Sequence, residues 1–399
     1  MIRVDKVLIA HSLYPPHIIG GAEISTQILA QTLNRHYDVK VITVGGHEKR
    51  EVRTDLVNGI EISRLPYNNR YWIGDSDKEV STVNKVVWRI QDIFNIRQYK
   101  YIKQYLTQTR PEVIHTQNIP GLSLAIWKAA HELHIPVVHT LRDFSLIDPI
   151  KISAYSRIYR QISRRYSRMV SSVVGISNHI LGSHTALGFF ERSSKQVIHN
   201  IVEDNTKVQQ LYTQKQVNHN KPLNIGYFGQ LTEVKGVQYL IDAVKSLGHI
   251  VGKLFIYGEG PLLPHLKQLA GSDQRIVFKG KLDKSQIAYH MKEMDLNVVP
   301  STWDEPFGRV VIESYQVGTP VYASRVGGMA EILLDTEKFS FPAHSSEAIA
   351  QAIDQYYLLR EQEKVQLKQQ CYAHSQTFNE AYLLKEHIEI YEKLIRRGG

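Results

Sequence analysis

The sequence contains very little cysteine and no long hydrophobic segment. Cys371 is the single cysteine among 399 residues, which excludes an intrachain disulfide and does not point to an oxidising compartment. No apolar run approaches the length of a transmembrane helix. The first apolar stretch, residues 7–10, is too short for the core of a signal peptide. We therefore expect a cytoplasmic protein.

The sequence also lacks the signatures of metal-binding and nucleic-acid-binding proteins. It has no zinc-ligand spacing, no RNP-type aromatic motif and no basic run of the nucleic-acid-binding type. The triplet Asp75-Ser76-Asp77 lies in a polar stretch and is interpreted as a solvated loop, so no metal site is expected. The net charge of +9 favours a polyanionic partner. An anionic lipid surface or a phosphorylated substrate fits better than nucleic acid.

Short apolar, β-branched segments alternate with helical patterns along most of the chain. Its length exceeds one ordinary domain, so two domains are expected. Continuous apolar strands separated by helices are typical of parallel sheets covered on both faces. The sequence therefore predicts an α/β protein with two doubly wound, Rossmann-like domains that face each other across a cleft. The predicted strands are residues 6–11, 39–43, 112–116, 136–141, 172–177, 196–201, 223–229, 253–258, 276–280, 296–300 and 320–324.

A polar stretch, residues 203–221, divides the two series of strands. It is rich in glutamine and asparagine and has no apolar period, as expected of a linker between domains. The predicted domains are therefore residues 1–202 and 222–377. Residues 378–399 form a predicted final helix, because their apolar side chains recur at helical spacing.

The most informative segment is residues 300–331, where two carboxylates flank a Phe-Gly turn. Glu305 is predicted in the loop after a strand, and Glu313 in the apolar helix that follows, eight positions later. Ligands of open α/β sheets bind at this edge, with anionic groups at the helix N-terminus. The carboxylates could hold two sugar rings by their hydroxyls, and the amides of residues 308–310 could hold phosphate. The alternative is that both glutamates are ordinary solvated side chains.

The Glu-x7-Glu spacing, followed by Gly318-Thr319-Pro320-Val321 and Gly327-Gly328, resembles the signature of family 4 glycosyltransferases. These are retaining, nucleotide-sugar-dependent enzymes with the GT-B fold. The resemblance implies transfer of a hexosyl unit from a UDP- or GDP-linked donor, without a metal or other cofactor. The implied acceptor is a glycan, a lipid-linked sugar or a small molecule, as in the synthesis of cell-surface polysaccharides or glycoconjugates.

The resemblance also assigns the two domains. The first domain is expected to bind the acceptor and the second the nucleotide sugar, while the final helix packs back on the first domain. In the second domain Lys235 matches the residue that neutralises the leaving diphosphate, whereas Gln230 replaces the usual arginine and brings no charge. Arg309 is a hypothetical source of the missing charge. The expected donor-binding residues are Gly20, Gly21, Gln230, Lys235, Gly258, Glu305, Phe307, Gly308, Arg309, Val310 and Glu313.

Two of these donor-binding residues, Gly20 and Gly21, lie in the first domain between its first strand and the following helix. Glycine there lets backbone amides approach a phosphate. A plain tight turn is an equally good explanation of the pair alone. The preceding Tyr14-Pro15-Pro16 resembles the opening motif of the family, whose glycine loop lies over the donor diphosphate.

The segment after the strand at residues 136–141 departs from the family pattern. The usual histidine is replaced by Arg142, and His139 is interpreted as a histidine packed within the strand. Arg142 or Asp143 could still hydrogen-bond a hydroxyl of the donor sugar or a group of the acceptor. The expected catalytic residues are Arg142, Lys235 and Glu305.

Residues 149–190 contain no acidic side chain. Between residues 152 and 169, apolar and aromatic side chains recur at helical spacing beside a stripe of arginines. Such a helix suits an anionic membrane surface or a phosphate-bearing acceptor, and would place the protein peripherally at the inner membrane face. The basic, aromatic stretch 88–105 could add to this surface. The alternative is a surface helix with its apolar face on the core. The arginines are Arg157, Arg160, Arg164, Arg165 and Arg168.

Two other functions are compatible with the sequence. Another GT-B enzyme, such as a nucleotide-sugar epimerase, would isomerise a free UDP-sugar without an acceptor. A non-catalytic glycan- or membrane-binding relative would explain why Gln230 and Arg142 replace the usual residues. Sugar transfer is favoured over these two functions because the other matched residues are present. The favoured route is front-face transfer, in which the departing phosphate accepts the proton of the acceptor.

Overall fold

The chain forms two compact units in a computed structural model that describes residues 5–46, 51–75, 80–148, 153–203, 206–217 and 221–398. The first unit comprises Met1–Asn200 and Glu380–Gly399, and the second comprises Ile201–Asn379. Each unit contains its own largely or wholly parallel sheet with helices between the strands. The predicted α/β class with two Rossmann-like sheets is confirmed.

The described residues of the first unit form eight strands and, before its final helix, six helices. The strands are β1 (Lys6–Ala10), β2 (Asp38–Gly45), β3 (Arg53–Val57), β4 (Ile60–Pro66), β5 (Val113–Thr116), β6 (Val137–Leu141), β7 (Ser172–Gly175) and β8 (Ser194–Val197). The helices are α1 (Gly21–Leu33), α2 (Thr82–Ile93), α3 (Ile96–Thr109), α4 (Ala125–Glu132), α5 (Ser153–Ser167) and α6 (Asn178–Thr185). The strand order is β3-β4-β2-β1-β5-β6-β7-β8. Every residue of the central strands β5 and β6 is buried, which explains their continuous apolar sequence.

One edge of this sheet is a hairpin that the sequence analysis did not predict. Strands β3 and β4 pair antiparallel, whereas the other neighbouring strands pair parallel. Their two-residue turn is Asn58-Gly59, with positive φ angles of 50° and 79°. Both residues tolerate the left-handed conformation that such a turn requires. The Asn-Gly pair could therefore have indicated a hairpin. Strand β3 was missed because its residues are mostly exposed and form no apolar run.

Where it is described, the second unit has a six-stranded sheet whose neighbouring strands all pair parallel. Its strands are β9 (Leu223–Phe228), β10 (Val251–Tyr257), β11 (Ile276–Gly280), β12 (Leu296–Val299), β13 (Val321–Ser324) and β14 (Ser340–Phe341). Its helices are α7 (Thr206–Gln214), α8 (Val237–Ser246), α9 (Leu263–Ala270), α10 (Lys284–Lys292), α11 (Arg309–Gln316), α12 (Thr336–Phe339), α13 (Ser346–Tyr357) and α14 (Glu361–Ser375). The strand order is β11-β10-β9-β12-β13-β14. The first five of these strands coincide with predicted ones.

The stretch predicted as a linker contains helix α7, which belongs to the second unit. Tyr212 of α7 stacks on Tyr372 of α14, with ring centroids 3.8 Å apart. Just after α7, the buried ammonium of Lys215 donates hydrogen bonds to the carbonyls of Lys292 and Met294, at 2.8 and 2.6 Å. Tyr212 and Lys215 thus help to attach this segment, in which apolar residues are few. Its polar composition therefore concealed the helix.

The final helix, α15 (Glu380–Gly398), belongs to the first unit. It packs on α1 and β5. Tyr391 lies in edge contact with Tyr37, and its hydroxyl is 2.6 Å from Nδ1 of His115. Across the described ranges, no helix is both long and apolar enough to cross a membrane.

Both sheets have a point at which the strand order reverses. It lies between β1 and β5 in the first unit and between β9 and β12 in the second. The connections after these strands leave towards opposite faces, which opens a crevice at the carboxyl edge of each sheet. The predicted site residues follow strands at these two edges.

Candidate active site

The loop after β9 brings Lys235 to the loop after β12. Residues 233–235 form a single 3₁₀ turn, which Gly236 ends with a φ of 70°. The N–H of Thr302 donates to the carbonyl of Val234 at 2.8 Å and joins the two loops. A Cβ at position 236 would collide with the carbonyl oxygen of Pro300, so glycine is required both for the turn and for this close approach.

Lys235 and Glu305 meet at this junction. The ammonium of Lys235 donates to Oε1 of Glu305, and the hydroxyl of Ser301 donates to the same oxygen at 2.9 Å. The Lys235 side chain is 25% exposed and the Glu305 side chain 12%. The ammonium also lies 5.8 Å from the ring centroid of Trp303. A cation and a carboxylate are thus available to one ligand at the carboxyl edge of the sheet.

The negative charge of Glu305 is felt by a buried neighbour. Burial, and secondarily the Glu305 carboxylate, raise the pKa of Tyr227 far above its usual value. The neutral phenol of Tyr227 donates a hydrogen bond to the backbone carbonyl of Gln230 at 2.8 Å. The side chain of Gln230 remains exposed. The side chain of Gln230 is therefore accessible, while the hydrogen bond from Tyr227 fixes its backbone.

Glu305 is also held through its backbone. The N–H of Gly328 donates to the Glu305 carbonyl at 2.7 Å. Gly327 has a φ of 55°, and a Cβ there would collide with the backbone of Glu305. The Gly-Gly pair of the predicted motif therefore lets the loop after β13 pack directly against the Glu305 loop.

Helix α11 presents the second carboxylate. Gly308 caps its N-terminus with a φ of 92°, and Phe307 before it is buried against Phe378 at a centroid distance of 6.3 Å. The first turn, which includes Arg309 and Val310, carries amides that have no partner within the helix. Such a helix start is a suitable phosphate site.

Arg309 lies beside Glu313, the second carboxylate of the predicted motif. Nη2 of Arg309 is 3.1 Å from Oε1 of Glu313, one turn further along α11. The Arg309 side chain is 16% exposed and the Glu313 side chain 31%. The hypothetical replacement for the missing arginine charge is thus engaged with Glu313, close to the helix N-terminus.

Gly258 joins the loops after β9 and β10. Its φ is 136°, and a Cβ would collide with the carbonyl oxygen of Gly229. The N–H of Leu231 donates to the carbonyl of Glu259 at 2.9 Å, which continues the same contact. The structure therefore brings together all the predicted site residues of the second unit, around the carboxyl ends of β9, β10 and β12.

The predicted phosphate loop of the first unit lies at the start of α1. Gly20 and Gly21 are exposed. The N–H of Gly20 donates to the carboxylate of Glu23 at 2.8 Å, so a buried acidic side chain already caps this helix. A phosphate that approached Gly20 would meet this negative charge.

Arg142 follows β6 and is held by two neutral amides. Its Nε donates to Oε1 of Gln117 after β5, and its Nη1 donates to Oδ1 of Asn200, both at 2.6 Å. Burial, together with the nearby Arg142 charge, lowers the pKa of His11 at the end of β1 to about 3. The guanidinium therefore has a fixed orientation beside a neutral histidine.

His139 is packed within the sheet, as the sequence indicated. It is buried, stacks on Phe190 at 5.8 Å, and places Nδ1 2.9 Å from the hydroxyl of Thr116. Burial, with the charge of His184 as a smaller cause, lowers the pKa of His139 to about 3. His139 is therefore a neutral core residue and does not replace Arg142.

Helix α5 contains the predicted arginine stripe except for Arg168, which directly follows the helix. Arg157, Arg164, Arg165 and Arg168 are exposed, and the last pairs with Glu191 at 2.9 Å. Arg160 is half-buried, with Nε 3.3 Å from the carbonyl of Ile147.

The apolar side of α5 is only partly covered. Tyr155 bonds through its hydroxyl to the carbonyl of Arg89 on α2, at 2.9 Å, and Tyr166 packs on Phe94. Ile158 remains 59% exposed. A membrane-facing helix therefore stays a prediction. Ile152 of the predicted apolar stripe lies outside the described residues.

In the described part of the chain, no group of three or more histidine, cysteine or acidic side chains is close enough to hold a metal ion. The Ser76 and Asp77 part of the Asp-Ser-Asp triplet lies outside that part.

Two family models match the chain in succession. The model described as Glycosyltransferase Family 4 matches residues 19–206, and the model described as Glycosyl transferases group 1 matches residues 208–373. An uncharacterized 42.6 kDa protein in the cps region of Klebsiella pneumoniae is 32% identical over 343 residues, which cover 82% of this chain and 87% of that protein. The chain belongs to glycosyltransferase family 4.

Solved structures share the fold of this family 4 glycosyltransferase. HepE from Anabaena, in a complex with UDP, has a TM-score of 0.71 and 19% identity, covering 98% of this chain and 100% of that one. Sucrose-phosphate synthase from Thermosynechococcus elongatus has a TM-score of 0.74 and 18% identity, with the same coverage. These likenesses confirm the GT-B fold.

Several residues that support the candidate site could not be identified from the sequence. Ser301 and Tyr227 contact the Lys235–Glu305 region, while Gln117 and Asn200 orient Arg142. Gln117 directly follows β5 and Ser301 is the second residue after β12, and these positions were the available signal. An isolated amide or hydroxyl has no periodicity by which it could be recognised.

Proposed function

We propose that this glycosyltransferase moves a hexosyl unit from a nucleotide-diphosphate sugar to a glycan, lipid-linked or small-molecule acceptor, with retention at the anomeric carbon. The observation that carries the proposal is the adjacent Lys235 ammonium and Glu305 carboxylate at the carboxyl edge of the second sheet. The UDP bound to HepE supports a nucleotide-sugar donor. The relative in the cps region of Klebsiella pneumoniae supports a role in cell-surface polysaccharide synthesis.

Each group of the donor has a suitable partner in the second unit. Lys235 and the first amides of α11 bind the diphosphate, because charge-assisted hydrogen bonds to phosphate are the stronger kind. Glu305 accepts hydrogen bonds from hydroxyls of the transferred sugar, and Glu313 accepts them from the ribose. The loop at Gly258 lies on the nucleotide side.

Transfer proceeds at the front face of the sugar. The bond between the anomeric carbon and the phosphate oxygen breaks, and the acceptor oxygen bonds to the same face. The departing phosphate oxygen takes the acceptor proton, while Lys235 stabilises the charge on the diphosphate. Arg142 donates hydrogen bonds that position the sugar or the acceptor. No metal is required in this scheme.

The enzyme acts at the cytoplasmic face of the membrane. The exposed arginines of α5 attract an anionic lipid surface, and each contributes on the order of 1 kcal/mol near such a surface. Ile158, with Val83 and Ile90 on neighbouring α2, adds exposed apolar area on the same unit. The protein is therefore held peripherally, close to lipid-linked acceptors.

The test is slow donor hydrolysis by the purified chain. UDP-, GDP- and ADP-sugars are incubated singly, and proton NMR follows both the nucleotide and the anomer of the released sugar. We expect one nucleotide class to turn over, with the released sugar appearing first as the donor's anomer. The rate is expected to persist in EDTA.

Other outcomes would favour other functions. A free UDP-sugar that isomerises without release of UDP would identify an epimerase. Binding of donor without turnover, with any added acceptor, would identify a non-catalytic relative. Release of the opposite anomer would contradict retention.

A further inference from the structure

A narrow slot in the first unit has polar groups that the donor site does not use. It lies between α2, α5 and the loops that follow β5 and β6. Its polar lining comes from Arg89, Asp92, Ser145 and Tyr159, and its apolar lining includes Ile119 and Leu124. The enclosed part has a volume of about 10 Å³. That volume holds one water molecule or one hydroxyl group, not a whole ring.

Asp92 presents one carboxylate oxygen to this slot. Its Oδ1 accepts hydrogen bonds from the side-chain amide of Asn69 and from the N–H of Gly121, both at 2.8 Å. Among the residues that the structure describes, no donor lies within hydrogen-bonding distance of Oδ2. Asp92 is thus fixed through one oxygen and open through the other.

The other polar groups face the same space. Within the described ranges, neither the Tyr159 hydroxyl nor the Ser145 hydroxyl has a hydrogen-bond partner. Arg89, one turn before Asp92 on α2, faces the carboxylate without forming an ion pair and lowers its pKa slightly against the effect of burial. An acceptor oxygen, two hydroxyls and a cation thus converge on a space the size of one hydroxyl.

A half-buried carboxylate whose hydrogen-bond partners are neutral is an expensive choice for a purely structural role. Burial raises the pKa of Asp92 to about 7, and burial with the Asp92 charge raises the pKa of Tyr159 above its usual value. Asparagine could accept the same two hydrogen bonds without a charge. The carboxylate is therefore better explained by a ligand that donates a hydrogen bond to Oδ2.

We propose that this slot binds a hydroxyl group of a neutral carbohydrate acceptor, with Asp92 accepting its hydrogen bond and Tyr159 contacting its oxygen. A hydroxyl can donate to Asp92 and accept from Tyr159 at once. The apolar side chains Ile119 and Leu124 line the rest of the slot and leave room for the hydroxyl group alone. A phosphate or carboxylate is disfavoured, because Asp92 would repel it.

The slot is placed for an acceptor. Ser145 lies three residues after Arg142 on the same loop, at the carboxyl edge of the first sheet. That the bound sugar is an acceptor rests on the proposed transferase function. Binding of a sugar in the slot can be tested without a donor.

The probe is a panel of methyl glycosides of glucose, galactose, mannose and N-acetylglucosamine, observed by saturation-transfer NMR on the full chain. We expect at least one glycoside to bind the parent protein. Asp92→Asn should weaken that binding about tenfold or more, because a hydrogen bond to a charged group is lost. Tyr159→Phe should weaken it less. UDP affinity should be unchanged in both variants.

The matched control is Glu191→Gln, which removes an exposed carboxylate of the same unit. It should leave glycoside binding intact. Thermal unfolding of each variant establishes that it is folded, and Tyr159→Phe provides an independent test if Asp92→Asn is unstable. No glycoside binding by the parent, or binding unaffected by both substitutions, would overturn the proposal. Failure of the parent to bind UDP would instead count against the donor function.

Discussion

Lys235 and Glu305 lie 70 positions apart in the chain, yet their side chains form an ion pair at the carboxyl edge of the second sheet. The pair depends on close backbone contact, because the loop carrying Lys235 touches the strand end at Pro300 through Gly236. A hydrogen bond between the two loops fixes the same approach. The proposed catalytic role can therefore be tested by substitutions of the paired side chains and of Gly236.

The first prediction concerns Lys235. Lys235→Ala should lower transfer by about 10²–10³-fold, the effect of removing one preorganised group that stabilises developing charge. Thermal stability should change little, because the lysine is partly exposed. Gln230→Arg, which adds the charge usual in the family, should keep or raise activity. Transfer by Lys235→Ala at the parent rate would show that the diphosphate is held elsewhere.

The second prediction concerns the ribose. Glu313→Gln should weaken nucleoside diphosphate binding by ~1–3 kcal/mol, the range for hydrogen bonds to charged groups. Calorimetry with UDP and GDP measures the change. Glu337→Gln is the control, because it breaks an exposed ion pair, with Arg325, in the same unit. Equal nucleotide affinity of the parent and Glu313→Gln would exclude the ribose role.

The third prediction concerns glycine at the junction of the two loops. Gly236→Ala should destabilise the protein by roughly 1–2 kcal/mol from the left-handed backbone alone. The added collision with Pro300 should displace Lys235 and reduce transfer further. Gly182→Ala in α6 is the contrast, because nothing lies within 4 Å of a Cβ there. It should stabilise the helix by about 0.5–1 kcal/mol. A fully active Gly236→Ala enzyme would contradict the loop contact.

The fourth prediction concerns pH and Asp92. Its folded pKa of about 7 exceeds the usual carboxyl value, so the folded chain binds an extra proton between the two. Stability contributed by protonated Asp92 is therefore lost as pH rises from about 4 to 7. Arg89, Tyr155 and Tyr159 face the group, and burial raises the pKa values of both tyrosines far above this window. Asp92→Asn should unfold at a higher temperature than the parent at pH 8, and this advantage should shrink at pH 5. A difference in unfolding temperature between Asp92→Asn and the parent that does not change with pH would contradict the raised pKa of Asp92.

The fifth prediction concerns membrane attachment. Replacing Arg157, Arg164 and Arg165 with glutamine should weaken co-sedimentation with anionic vesicles by about 100-fold, at ~1 kcal/mol for each arginine. High salt should weaken the parent similarly, because the Debye length falls to ~3 Å at 1 M. Replacing three exposed lysines of the second unit, Lys245, Lys253 and Lys267, is the charge-matched control. Equal binding to neutral and anionic vesicles, or none to either, would return α5 to an ordinary surface helix.

Local sequence patterns determined the larger part of this fold. Buried parallel strands such as β6 and β9 are continuous apolar segments, so most of them could be predicted in their order along the chain, although the largely buried strand β4 was missed. The start of α11 was visible because glycine precedes an apolar helical pattern. The spacing of Glu305 and Glu313 was therefore sufficient to locate a carboxylate pair at a strand end and a helix start.

Only the tertiary structure decided which side chains meet. Arg142 is oriented by amides 25 and 58 positions away, and Asp92 acquires its slot from two helices and two loops. The attachment of α7 through Tyr212 was hidden for the same reason. A single amide, carboxylate or ring has no periodic signal, because its partner depends on which strands become neighbours. Packing across the whole sheet determines which strands become neighbours, and the local sequence contains no pattern that predicts it.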